Sequence, residues 1–189
     1  MNAKTILGTT LTAVFAVSMI MTPAFAASSG YLTIKSSSST ISSGELNASI
    51  KTKSAIPTNG KAGAFGYAVL TNGGSGDLDN VLVIVTHLGI DDSSFENPRS
   101  GFHAHVLDLT IPLDDACAGF DAEVDLLASV ANTSFDPDYS YKIRGNVLTI
   151  SGIPTSDLGD ATAVDAIVAF TVTPVFSGTD LTNLCVDVI

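Results

Sequence analysis

The sequence predicts an all-β fold: a single-domain antiparallel β-sandwich of about eight or nine strands, with room for one short helix. Three observations point there. Apolar residues fall into short runs, rich in Val, Ile and Thr, between Gly, Asn, Asp and Ser turn signals. Several runs alternate apolar and polar residues with the period of two of a half-buried strand. Helical spacing of apolar residues is almost absent.

The elements follow in order. "YLTIK" (31–35) alternates and opens the fold as a strand. "SSSSTISSGE" (36–45) is polar and of low complexity, so it reads as a loop or a weak edge strand. "LNASIKTK" (46–53) alternates Leu46, Ala48 and Ile50 against polar neighbours. "AFGYAVL" (64–70) is a strand between a turn at 57–63 and a Gly-rich connection at 71–80. "VLVIVTHL" (81–88) is a continuous β-branched run, as expected of a strand buried on both faces. An acidic loop (89–100) leads into "GFHAHVLDLTI" (101–111). "AEVDLLASVA" (122–131) fits two readings, a strand or a short helix with Val124, Leu127 and Val130 on one side. "YSYKIRG" and "NVLTISGI" form a hairpin turning at Gly145-Asn146. "AIVAFTVTPVF" (166–176) and "LCVDVI" (184–189) supply the last strands.

The N-terminus has a different grammar. Lys4 is followed by an apolar run, then Pro23 and Ala24-Phe25-Ala26. This is the layout of a secretory signal peptide over residues 1–26, leaving residues 27–189 as the β-sandwich domain. The run is short for a membrane span and is interrupted by Thr9, Thr10 and Thr12. Export to an extracellular or periplasmic-like space is the expectation, with no membrane span after cleavage.

Nineteen Asp and Glu face eight Lys and Arg, a net charge of −11, and no Lys/Arg cluster occurs. Such a chain repels nucleic acid and anionic lipid and attracts cations. Outside the cytoplasm an even cysteine count favours a bridge, here Cys117–Cys185. It would close a loop of about 70 residues, which a chain-entropy model values at about 4 kcal/mol. Two Asn-x-Ser/Thr sequons, at Asn47 and Asn132, matter only where exported proteins are glycosylated.

The chemistry sits in three histidines. His103 and His105 are two apart, so a strand puts both on one face with Cβ atoms roughly 7 Å apart. Leu107 and Leu109 continue that face, while Phe102, Ala104 and Val106 take the other. If the strand ending at His87 pairs with this one as a hairpin, His87 falls at the same end. Three nitrogens with an open fourth position suit copper or zinc. Asp91 and Asp92 are candidates to accept a ring N–H behind the ligands. The competing reading has the three rings bonded separately to carbonyls or carboxylates at a strand end.

The residues "GFHAH", with a cysteine twelve positions later and another near the C-terminus, resemble the copper-site motif and bridge of Cu,Zn superoxide dismutases. That family needs further histidines downstream, one of them bridging two metals, and this chain has none after His105. The resemblance therefore implies neither the two-metal site nor the dismutase reaction. A longer stretch, "THLGIDDS", "GFHAHVLDL", "EVD" and "LCV", resembles a group of uncharacterised secreted proteins of ammonia-oxidising archaea. In that group a Thr/Ser-His-x-Gly segment precedes Phe-His-x-His, which implies that His87, His103 and His105 act together. The reliance of those organisms on copper outside the membrane implies copper ahead of zinc.

Three function classes remain: an exported copper or zinc binder for storage, delivery or redox; a structural or adhesive cell-envelope protein; and a zinc hydrolase or lyase, with Asp91, Asp92 or Glu96 as base. No Gly-x-Ser-x-Gly elbow or phosphate-binding glycine loop is present. Asp77 and Asp79 lack the spacing of an EF-hand calcium loop.

Overall fold

A computed structural model describes residues 29–189, apart from 77, 88–89, 91–100, 113–115, 133 and 136. The signal segment, Asp77, Asp91, Asp92 and Glu96 lie outside the described residues. Two antiparallel sheets form the fold. Sheet A has the order β1-β2-β9-β8, from β1 (Ile34–Ser42), β2 (Glu45–Thr52), β8 (Ser140–Arg144) and β9 (Val147–Pro154). Sheet B has the order β5-β4-β3-β10-β11-β7-β6. Its strands are β3 (Phe65–Thr71), β4 (Val81–Thr86), β5 (His103–Leu107), β6 (Leu109–Thr110), β7 (Ala122–Val124), β10 (Val164–Ser177) and β11 (Asp180–Val188). Among the described residues one short helix, α1 (Leu126–Ala131), and a 3-10 turn at Thr155–Leu158 complete the order. Among the described residues no helix is long and apolar enough to cross a membrane.

The all-β sandwich expected from the sequence is what forms. The Ser-rich segment takes the edge-strand alternative and becomes β1, its register with β2 running from Ile34↔Thr52 to Ser42↔Glu45. The hairpin turns at Ser43 and Gly44, both with positive φ (54° and 79°), the two-residue geometry that follows the strand twist. The strand expected at 31–35 starts only at Ile34, after a turn. Residues 122–131 split between both candidate readings, giving β7 and then α1. The helix does not bury the apolar side proposed for it: Leu127 is 84% exposed and Val130 43%, whereas Ser129 is fully buried.

Between the sheets lies the main core. Leu46 and Ile50 of β2 and Leu148 and Ile150 of β9 meet Tyr67, Val69, Leu82, Ile84 and Val106 of sheet B. Full burial of each large side chain is worth about 1.5–3 kcal/mol. Alternation sends the intervening residues of sheet B to its other face, where Ala68, Val83, Val85, Val124, Phe170 and Val186 form a second apolar cluster. All six residues of β4 are therefore buried, as its continuous apolar run demands.

The second cluster exists because sheet B rolls up. β5 and β6 lie at opposite ends of the strand order, yet only Asp108 separates them in the chain. The two edges must meet there. Ser129 holds the seam: its Oγ accepts from Asp108 N–H at 2.9 Å and donates to Asp108 C=O at 3.2 Å. The Asp125 N–H donates to the same carbonyl at 2.9 Å, and the Asp108 carboxylate accepts the Asn80 N–H at 2.8 Å. This explains why "HVLDLT" is two strands rather than one. It also explains why α1 buries a serine. Inside the roll Gly66 leaves room for Phe170, since a Cβ there would stand 2.8 Å from the ring and 2.6 Å from Ile84 O.

Cys117 and Cys185 are disulfide-bonded, their Cα atoms 5.3 Å apart, tying the turn before β7 to β11. In the double Cys→Ser variant, denaturant unfolding should show a loss of about 4 kcal/mol, from the loop entropy that the bridge removes. An unchanged midpoint would contradict that role.

Two phenols, Tyr67 fully buried and Tyr139 half-buried, set an alkaline limit. Tyr67 is held protonated above its ordinary range by burial and then by the adjacent Tyr31. Burial, then the 2.5 Å hydrogen bond to Asp157, does the same for Tyr139. A raised folded-state value contributes stability that is present below the unfolded value, about 10, and is lost as pH climbs above it. Ultraviolet titration should show these two phenols ionising only with unfolding. Ionisation of all four tyrosines near pH 10 in the folded protein would refute this.

Candidate metal centre

The site is built by the register of one hairpin. β4 and β5 pair antiparallel with Val83↔His105, Ile84↔Ala104 and Val85↔His103. Directly opposed residues share a face. His103 and His105 therefore join Val83 and Val85 on the inner face of the rolled sheet, and Ala104 joins Ile84 in the sandwich core. His87 follows β4 two residues after Val85, on the same parity. It sits diagonally across from His103, which is what the sequence expectation of a hairpin required.

The three rings come together. His87 Nε2 and His103 Nε2 are 2.7 Å apart. Ring centroids are 4.5 Å apart for His87–His103, 4.7 Å for His103–His105 and 6.0 Å for His87–His105. One nitrogen from each ring lies within 4.8 Å of the other two. His103 and His105 are 2% and 4% exposed, and His87 is half-buried. The arrangement can hold a metal ion.

Carbonyls orient the two strand histidines. His105 Nδ1 donates to Phe135 O at 2.9 Å, and His103 Nδ1 faces Gly101 O at 3.3 Å. A ring whose Nδ1–H is spent on a carbonyl presents Nε2 as its ligand atom. Phe135 O also accepts the Val106 N–H at 3.3 Å, so the segment after α1 is fastened along β5. The Phe135 ring packs against His105 with centroids 5.1 Å apart. Phe135 was not legible as part of the site, because its contact depends on the seam that folds α1 back onto β5. Asp91 and Asp92, expected behind the ligands, lie outside the described residues; carbonyls fill that role for His103 and His105.

Two nitrogens on one tetrahedral ion at 2.0–2.1 Å stand about 3.3 Å apart. The 2.7 Å His87–His103 contact is instead a hydrogen bond between imidazoles, in which one Nε2 carries the proton. Taking up an ion replaces that proton and opens the pair by about half an ångström.

Comparison with protein-family models, curated proteins and solved structures finds no match to the chain.

The hydrogen bonds fix the tautomers of the metal-free, neutral protein. Long-range nitrogen–proton NMR correlations should show His103 and His105 as Nδ1–H and His87 as Nε2–H. A His105 protonated on Nε2 would contradict the Phe135 bond and the ligand assignment that follows from it.

Proposed function

We propose that the protein binds one transition-metal ion, copper ahead of zinc, through His87, His103 and His105, and serves outside the cytoplasm in storage, delivery or redox of that ion. The observation that carries the reading is the convergence of all three histidines of the chain on one face. Imidazole nitrogens suit both metals, and divalent copper outranks zinc at a given nitrogen site. The resemblances to a copper-site motif and to secreted archaeal proteins point the same way. Export is supported by the Cys117–Cys185 bridge and by the leader-like residues 1–26. A structural or adhesive envelope role is the second reading. It is favoured by the carbonyl partners of His103 and His105, which engage one nitrogen of each ring without an ion.

Metal analysis of the protein from its native compartment should find about one copper per chain, and titration of stripped protein should bind copper more tightly than zinc. The triple His87→Ala, His103→Ala, His105→Ala variant should hold none. His103→Ala alone should weaken binding at least a hundredfold, because two imidazoles grip an ion poorly. A folded protein that takes up neither metal would leave the envelope reading.

A further inference from the structure

The rolled sheet encloses more than side chains. A hollow of about 270 Å³ lies on its inner face. Every strand of sheet B contributes to the wall, among them Ala68, Val83, Leu107, Val124, Val168 and Phe170. Beyond these apolar groups, His87, His105 and Asp121 are the titratable residues that reach it among the described residues. The Asp121 carboxylate is occupied by the Val188 N–H at 2.8 Å. Strand register puts Val188, and Asp121 with it, in the row of Phe170, Gly66, Val85 and His103, so the polar groups of the hollow gather at the end where the histidines stand.

A concave apolar wall with convergent polar groups at one end is the form of a small-molecule site. Its size selects the occupant. Benzene fills an apolar cavity of about 150 Å³, so this hollow suits a molecule of about ten non-hydrogen atoms. A two-turn helix about 10 Å across takes up roughly 850 Å³, which excludes a docking helix. His87 and His105 line the hollow and His103 projects from the same sheet face, so an ion held by the three rings would adjoin it.

We propose that this hollow binds a small, uncharged apolar molecule with a single metal-coordinating end, seated so that this end meets the ion held by His87, His103 and His105. The inference rests on the metal reading above and adds the ligand class. Half-buried wall residues such as Val168, Val172 and Leu184 then have an apolar partner instead of water.

The test uses 4-phenylimidazole, which joins an apolar body to a coordinating nitrogen, with imidazole as the head alone and naphthalene as the body alone. Calorimetry on the copper-loaded protein should give at least tenfold tighter binding for 4-phenylimidazole than for imidazole. Val168→Phe, which fills the hollow from a half-buried wall position, should erase that advantage and leave copper affinity unchanged; Val172→Phe replaces it if the first variant fails to fold. Equal affinity for the two azoles in a protein that holds copper overturns the pocket and leaves the metal reading standing. If no ion is retained, the metal reading falls, and naphthalene binding to the metal-free chain decides the pocket: a saturable shift, lost in Val168→Phe, supports it, and no shift overturns it.

Discussion

The pairing of Val85 with His103 is the constraint on which the site depends. It places one histidine of β5 beside the end of β4 and, through strand parity, the second two residues further along. It also sends Ala104 and Val106 into the sandwich core against Ile84 and Leu82. A slip of one residue would turn both imidazoles toward the inter-sheet core and bring alanine and valine to the site. The cost would fall on both faces at once, since β4 is buried on each. Apolar packing thus holds the polar site in register, and the histidines need contribute little to the fold themselves.

The second constraint is closure. The roll of sheet B gives an apolar residue on either face of a strand somewhere to go, which is why a chain of this length sustains two clusters. The seam uses few atoms: the backbone of Asp108 and the hydroxyl of Ser129, with Asp125 and Asn80 beside them. From the same seam α1 leads to Phe135, whose carbonyl fixes the tautomer of His105. Closure and the orientation of His105 are two results of one local arrangement.

Much of this was legible in the residues, and the reasons differ by element. Alternation in "LNASIKTK" and the unbroken run "VLVIVT" report burial on one face or two, so β2 and β4 could be read directly. The shared face of His103 and His105 follows from the period of two. His87 joined them only on the assumption of a hairpin, which the β4–β5 register bears out. The break at Asp108 was not legible. Its cause is a contact with Ser129, twenty-one residues on, and no local pattern encodes a partner at that distance. The same holds for α1, whose buried residue is polar and whose exposed ones are apolar, the inverse of the amphipathic signal. Phe135 escaped for the same reason.

Closure also changes which strand edges face outward. On the outer side of β5 the Val106 N–H is taken by the Phe135 carbonyl, Ser129 caps Asp108 just beyond the strand, and β6 is tied by Leu109 N–H to Leu78 O at 2.8 Å. The two borders of sheet A, β1 and β8, offer unpaired ladder groups, as does the β10–β11 hairpin where it runs past β3 and β7. In a chain with few basic residues, β1 carries Lys35 and β8 carries Lys142 and Arg144. Antiparallel edge-on pairing of β8 with β8 of a second copy, centred on Lys142, brings like charges together. At that border the charge works against strand addition, the route by which exposed borders seed fibrils.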